Sequence, residues 1–126
     1  MSVEDRVITE EPLRILIIED DDDDAFLIQQ TLLSAQDGPC PEVDRVASAR
    51  HAAVQLRSGG YDVVLVDYRL GAEDGVSFLR EARRDGIPTP AIFLTGHGDE
   101  DVAVQAMKAG AVDYFVKSRM KPEALV

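Results

Sequence analysis

The apolar residues of this chain fall into two alternating kinds of segment. Short runs such as ILII at 15–18 and VVLV at 63–66 are apolar throughout, which is typical of strands buried on both faces of a sheet. Longer segments between them, such as 23–36, space their apolar residues at close to the helical period. The pattern predicts strands at 13–19, 42–48, 62–67, 91–95 and 112–117, and helices at 23–36, 48–60, 74–86 and 99–110.

The alternation of strands and helices predicts the fold class. Strands separated by helices form parallel sheets covered on both faces, and right-handed crossovers restrict the topology to a few arrangements. We therefore expect an α/β domain with a doubly wound, five-stranded parallel sheet of flavodoxin-like order 2-1-3-4-5, in preference to a six-stranded order. In such sheets, binding sites form beyond the carboxyl ends of the strands.

The two ends of the chain depart from this pattern. Residues 1–12 end at Pro12, and we expect a disordered lead-in followed by one domain over 13–126. Pro122 is typical of the first residue of a fifth helix, yet only five residues run from there to Val126, whereas an average helix has about 11. We expect this helix to be truncated because the chain is a piece of a longer protein. The alternative is a stand-alone domain that covers the bare sheet face by forming a homodimer.

Charge and composition restrict the partners and the compartment. A net charge of −11 over 126 residues argues against direct binding to nucleic acid or to an anionic membrane. No apolar run approaches the ~20 residues of a membrane span, and the acidic N-terminal stretch lacks the apolar core of a signal peptide. The single cysteine, Cys40, cannot form an internal disulfide, so a cytoplasmic location fits best.

Polar residues mark the carboxyl ends of four predicted strands. Glu19 and Asp20 follow the first strand, Asp67 ends the third, Thr95 ends the fourth and Lys117 ends the fifth. In the expected order these four strands are neighbours, so their carboxyl ends meet at one edge of the sheet. The sequence therefore predicts a site with three carboxylates, a hydroxyl and an ammonium group.

These residue types suit a cation site and phosphoryl transfer. Carboxylates about 4 Å apart repel by roughly 4 kcal/mol per pair at an effective dielectric constant of 20, and a divalent cation removes that cost. A set of oxygen ligands without His or Cys favours Mg²⁺, Mn²⁺ or Ca²⁺ over zinc. One aspartate could then attack phosphorus, while the lysine and threonine bind oxygens of the transferred group.

The acidic run Glu19–Asp24 continues beyond this site into the predicted first helix. We interpret Asp21–Asp24 as a helix start, where carboxylates cap free N–H groups and meet the positive end of the helix dipole. The alternative is that all six carboxylates form a solvated helix start. An EF-hand loop fits poorly, because its ligands alternate and its sixth position must be glycine.

Four motifs, in order and at these spacings, resemble the receiver domain of two-component response regulators. They are ILIIED with its acidic pair, VVLVDYRLGAEDG with Asp67 and the later Asp74-Gly75, AIFLTG with Thr95, and AGAVDYFVK with Lys117. The resemblance runs from about Leu13 to Lys117. It implies a signalling switch with the same flavodoxin-like fold, which catalyses only its own phosphorylation and dephosphorylation.

The resemblance implies a role for each site residue. Asp67 would accept a phosphoryl group from a phosphohistidine on a sensor histidine kinase or a histidine phosphotransfer protein. Mg²⁺, with Mn²⁺ as a substitute, would be bound by the side chains of Asp20 and Asp67, by the backbone carbonyl of Arg69, and by Glu19 through water. Thr95 would bind phosphoryl oxygens, and so would the ammonium group of Lys117.

Further positions would tune the response. Tyr114 matches the family's switch aromatic, which would turn inward when Thr95 moves toward the phosphate and so change the surface made by helix 4, strand 5 and helix 5. Arg69 and His97, two residues after Asp67 and Thr95, would flank the site and tune the phosphate lifetime. Surface roles are the alternative for Arg69 and His97, and an ordinary half-buried strand position is the alternative for Tyr114.

The chain departs from the family pattern at two positions. Ser118 stands where the family usually has proline after the lysine, so a cis bond is not expected there, and Gly71 replaces a frequent proline after the phosphoacceptor. Two other functions stay open. One is a receiver-like docking module that takes no phosphate, and the other is a phosphatase of the haloacid dehalogenase type, although Arg69 occupies the place of its second aspartate.

Overall fold

The computed structural model describes residues 12–34, 40–70, 73–96 and 100–117. The strands are β1 (Arg14–Ile18), β2 (Glu42–Val46), β3 (Val63–Asp67), β4 (Arg69–Leu70), β5 (Glu73–Asp74), β6 (Ala91–Thr95) and β7 (Asp113–Val116). The helices are α1 (Asp22–Ser34), α2 (Ala49–Ser58), α3 (Gly75–Arg84) and α4 (Glu100–Lys108). The five predicted strands and four predicted helices are confirmed, each to within two residues at either end.

The main sheet is parallel and has the order β2-β1-β3-β6-β7. This order is the predicted flavodoxin-like one. The labels differ from 2-1-3-4-5 only because two short strands, β4 and β5, come between β3 and β6 in the sequence and form a separate antiparallel ribbon. That ribbon was not predicted, since two residues per strand are too few to show a period.

The apolar side chains of the sheet form a core on each face, because successive residues of a strand point to opposite sides. On one face, strand residues such as Leu16, Val66 and Phe93 pack with residues from α2, α3 and α4. On the other face, Ile17 and Leu94 belong to a smaller cluster with Ile28 of α1. Strands buried on both faces explain why their sequences are continuously apolar rather than alternating.

Short polar contacts fix where the helices begin and end. The predicted N-cap of α2 is confirmed, since Ser48 Oγ accepts a hydrogen bond of 3.2 Å from the backbone N–H of His51. Asp74 caps α3 in the same way, through a 2.8 Å hydrogen bond from the N–H of Ser77. The predicted glycine stop of α2 is Gly59, whose φ of 82° is the left-handed conformation that glycine adopts readily.

Several predicted features lie outside the described residues. They are the lead-in except for Pro12, the fifth helix expected from Pro122, and the positions of Gly71, His97 and Ser118. Phe115 on β7, whose partner in the neighbouring strand is Leu94, is 48% exposed. Within the described ranges, no helix has the length and apolar character needed to cross a membrane.

Candidate functional site

The carboxyl ends of β1, β3, β6 and β7 meet at one edge of the sheet, as predicted. The strand register pairs Ile18 with Val66, Asp67 with Leu94, and Thr95 with Val116. Carboxylate oxygens from Glu19, Asp20 and Asp67 consequently all lie within 4.8 Å of one another. Adjacent parallel strands therefore bring together side chains that are far apart in the sequence.

Glu19 is a buried carboxylate fixed from several directions. Its side chain is 0% exposed, and Oε1 lies 2.6 Å from Nζ of Lys117. Oε2 accepts a hydrogen bond of 3.2 Å from the backbone N–H of Asp21. The backbone of Glu19 donates to the carbonyl of Val46 and accepts from Nε of Arg45, at 3.0 and 2.9 Å. The position of this carboxylate is thus set by β2, by Lys117 and by the backbone that follows β1.

Asp67 is nearly buried, with 7% of its side chain exposed, and its Oδ1 lies 3.0 Å from Nζ of Lys117. Its backbone is held against the start of α3. A Cβ atom placed on Gly75 would lie 2.5 Å from the carbonyl oxygen of Asp67 and 2.8 Å from Cγ1 of Val66. The Asp74-Gly75 pair in the sequence motif is therefore explained by a cap followed by a close approach that only glycine permits.

Lys117 lies at the centre of the charged groups. Besides Glu19 and Asp67, its Nζ contacts Oδ2 of Asp24 at 2.9 Å, in a hydrogen bond between residues 93 positions apart. The sequence pattern indicated only a helix-start role for Asp24, and this interpretation was incomplete. No local pattern indicated this contact, because Asp20 lies before the first residue of α1 and only the packing of α1 beside β7 brings Asp24 to Lys117.

The rest of the acidic run divides into distinct roles. Asp21 is a helix cap as predicted, since its Oδ2 accepts a 2.8 Å hydrogen bond from the N–H of Asp24. Asp22 forms an ion pair of 2.8 Å with Nη1 of Arg45. Arg45, which the sequence analysis did not identify, thus ties the acidic loop to β2 through both Asp22 and the carbonyl of Glu19.

Burial and proximity shift the pKa values of three groups. Burial raises the pKa of Glu19 to about 7, against the hydrogen bond from Lys117, which lowers it. Burial also raises the pKa of Asp67, again partly offset by Lys117. For Lys117, burial lowers the pKa, but hydrogen bonds to Glu19, Asp24 and Asp67 outweigh burial and raise it above its usual range. The ammonium is therefore charged at neutral pH.

These groups line an open cavity of about 630 Å³. Its described lining residues are Glu19, Asp20, Asp21, Asp24, Asp67, Tyr68, Arg69, Gly96 and Lys117. The donor set of three clustered carboxylates fits a hard divalent cation such as Mg²⁺, Mn²⁺ or Ca²⁺, which binds oxygen ligands, and does not fit zinc. Arg69, on β4, is among the residues that border this cavity.

Thr95 and Tyr114 lie beside the cavity rather than in it. Thr95 is 1% exposed, and its hydroxyl donates a long hydrogen bond of 3.4 Å to the carbonyl of Phe115. Gly96, and not Thr95, belongs to the described lining of the cavity. Tyr114 is 41% exposed on β7, where its partner in the neighbouring strand is Phe93.

Comparisons with known proteins agree with this geometry. The transcriptional regulatory protein ZraR of Escherichia coli is 31% identical over 109 residues, which are 86% of this chain but 24% of that protein. The chain spans less than half the length of the curated relatives that it matches. These relatives therefore share one segment with it.

Solved structures match the chain over most of their own length. A Chloroflexus aurantiacus protein described as a response regulator has a TM-score of 0.78 and 30% identity, covering 91% of this chain and 92% of that one. The phosphorylated cyanobacterial phytochrome response regulator RcpA has a TM-score of 0.73 and 25% identity, covering 87% and 86%. The family model described as the response regulator receiver domain matches residues 15–126. The chain therefore belongs to the family of response regulator receiver domains.

Proposed function

We propose that this receiver domain is a switch that is phosphorylated on Asp67 in a Mg²⁺-dependent reaction. The phosphoryl donor is a phosphohistidine on a sensor histidine kinase or a histidine phosphotransfer protein. The observation that carries the proposal is the position of Asp67, a nearly buried carboxylate within 4.8 Å of two others and 3.0 Å from the ammonium of Lys117. A carboxylate beside both a cation site and a fixed positive charge is suited to attack an anionic phosphoryl group.

Each residue has a defined part in the transfer. An oxygen of Asp67 forms a bond to phosphorus as the bond from phosphorus to the donor's imidazole nitrogen breaks, and the leaving imidazole takes up a proton. Lys117 binds a phosphoryl oxygen, and Thr95 binds another by turning its hydroxyl away from the carbonyl of Phe115, to which it donates a hydrogen bond of 3.4 Å. The domain thus catalyses its own phosphorylation, and hydrolysis of the aspartyl phosphate reverses it.

The cation site is part of the same proposal. Glu19, Asp20 and Asp67 would hold Mg²⁺ together with the backbone carbonyl of Arg69, and Mn²⁺ would substitute. The bound ion would offset the repulsion between the carboxylates and the incoming phosphoryl group. Glu19 is fixed by Lys117 and by the N–H of Asp21, which supports a contribution through water rather than a direct one.

The output would be a change on the surface next to β7. When Thr95 turns toward the phosphoryl group, Tyr114 would move inward from its half-exposed position. The apolar residues Val104, Met107 and Val112 are also exposed on or beside α4 and β7. A partner protein or a second copy in a homodimer would bind this surface in one of its two states.

The names of two similar proteins and the net charge of this chain support a proposal for the signalling system and the cellular compartment. RcpA was solved in its phosphorylated state, and ZraR is named a transcriptional regulatory protein. We place this domain in a two-component system of the cytoplasm. Its net charge of −11 supports a receiver that does not itself contact nucleic acid or an anionic membrane.

The experiment is intact mass measurement after incubation with Mg²⁺ and acetyl phosphate. We expect a single phosphoryl adduct on the wild type and on Asp101→Asn, an exposed control on α4, and none on Asp67→Asn. Removing Mg²⁺ with EDTA should abolish the adduct. A wild type without any adduct, combined with no Mg²⁺ binding, would contradict the proposal and favour a docking module that takes no phosphate.

A further inference from the structure

Asp24 contacts the site lysine from a helix that contributes none of the proposed phosphoryl or metal ligands. It lies in the first turn of α1, and its Oδ2 accepts a 2.9 Å hydrogen bond from Nζ of Lys117. Its side chain is 41% exposed, whereas those of Glu19 and Asp67, the other two partners of this ammonium, are 0% and 7% exposed. Asp24 is therefore the partner most open to water.

The number of N–H bonds limits what Lys117 can bind. An ammonium has three N–H bonds, and here three carboxylate oxygens lie 2.6, 2.9 and 3.0 Å from Nζ. Of these oxygens, Oδ2 of Asp24 accepts a hydrogen bond from Nζ, and a phosphoryl oxygen that approaches Lys117 competes with all three for the ammonium. Leaving the buried Glu19 without its partner is costly, because water cannot replace the lost contact. Asp24 can be hydrated where it stands, so losing its contact costs least.

We infer that Asp24 is a positioning residue that holds Lys117 in the unphosphorylated state and releases it to the phosphoryl group. This inference rests on the proposed phosphorylation of Asp67. Asp24 and the phosphoryl group compete for the ammonium of Lys117, so Asp24 weakens the phosphorylated state relative to the unphosphorylated one. The strength of the ion pair between Asp24 and Lys117 then contributes to the free-energy difference between the unphosphorylated and phosphorylated states.

Asp23 provides a matched control for general charge effects. It is an exposed aspartate in the same first turn of α1, and it makes no ion pair with any residue that the structure describes. Asp23→Asn and Asp24→Asn remove the same charge from the same helix end. Of the two substitutions, only Asp24→Asn removes a negative charge that contacts the ammonium of Lys117 and so weakens the competition for it.

The experiment measures the dissociation constant of beryllofluoride, a phosphoryl mimic, at saturating Mg²⁺ by ¹⁹F NMR. We expect Asp24→Asn to bind about fivefold more tightly than Asp23→Asn, which corresponds to an ion pair worth about 1 kcal/mol. In a Lys117→Met background the two variants should bind equally. The Nζ–H resonance of Lys117 in the ligand-free protein should shift in Asp24→Asn and stay in place in Asp23→Asn.

The outcomes separate this inference from the proposed function. If the wild type binds no beryllofluoride in the presence of Mg²⁺, the proposed function fails and the inference fails with it. If the wild type binds but the two variants have equal dissociation constants, only the inference is overturned. If proteins with Lys117→Met bind beryllofluoride too weakly to measure, two results decide. They are the ratio of the dissociation constants of Asp23→Asn and Asp24→Asn, and the shift of the Nζ–H resonance of Lys117.

Discussion

Two halves of the site differ in how firmly they are held. The acidic half, built on β1, β3 and α1, joins Glu19, Asp24 and Asp67 to Lys117 through contacts of 2.6–3.0 Å. The half next to β6 and β7 has one 3.4 Å hydrogen bond from Thr95 and a half-exposed Tyr114. The difference indicates a reaction centre assembled in advance beside a region free to rearrange.

The largest expected effect concerns the buried charge in the acidic half. Glu19 has a pKa of about 7 in the folded protein and 4.5 as its ordinary value, so the folded state binds more protons between these values. The free energy of unfolding, measured in EDTA, should therefore fall as the pH rises from about 4.5 to 7, by up to about 3 kcal/mol. The raised pKa of Asp67 acts in the same direction.

Glu19→Gln isolates this contribution. Urea unfolding at several pH values should give a flatter profile for the variant than for the wild type, and Mg²⁺ should remove most of the slope in the wild type. If the free energy of unfolding changed with pH in the same way in Glu19→Gln and in the wild type, the carboxylate of Glu19 would not be the source of the pH dependence.

A smaller effect is expected where α3 meets the acidic half. Gly75→Ala would place a methyl group 2.5 Å from the carbonyl oxygen of Asp67, so the backbone of one of the two must shift. We expect a loss of about 2 kcal/mol in the free energy of unfolding and slower phosphorylation of Asp67. Ser77→Ala, in the same turn, should phosphorylate at the wild-type rate. If the Gly75→Ala protein kept the wild-type stability and phosphorylation rate, the close approach of Gly75 to the carbonyl oxygen of Asp67 would not constrain the site.

The smallest effect on stability is expected in the half next to β7. Tyr114→Ala should lower the free energy of unfolding by less than about 1 kcal/mol, because the side chain is already 41% exposed. It should nevertheless change how the phosphorylated domain binds to itself, measured by sedimentation with and without beryllofluoride. If Tyr114→Ala lowered the free energy of unfolding as much as Gly75→Ala does, the two halves of the site would not differ in how firmly they are held.

The sequence predicted most of the fold because its three central strands, β1, β3 and β6, are buried on both faces and alternate with segments of helical period. The same reasoning brought Glu19, Asp20, Asp67 and Lys117 to one edge, since strand ends in a parallel sheet converge. The ion pair between Asp24 and Lys117 depends on how α1 is rotated against β7, which local patterns do not specify. The β4–β5 ribbon and the hydrogen bond from Thr95 to Phe115 likewise arise from tertiary packing.

The placement of Lys117 at the end of β7 has a mechanical consequence. Glu19 and Asp67 extend from β1 and β3, each of which has a neighbouring strand on both sides, whereas β7 pairs within the described ranges with β6 alone. The ion pairs of Lys117 with Glu19 and Asp67 therefore tie the end of this edge strand to the ends of two interior strands. The ammonium acts as a clasp across the sheet, so a change at the carboxylates is transmitted directly to β7.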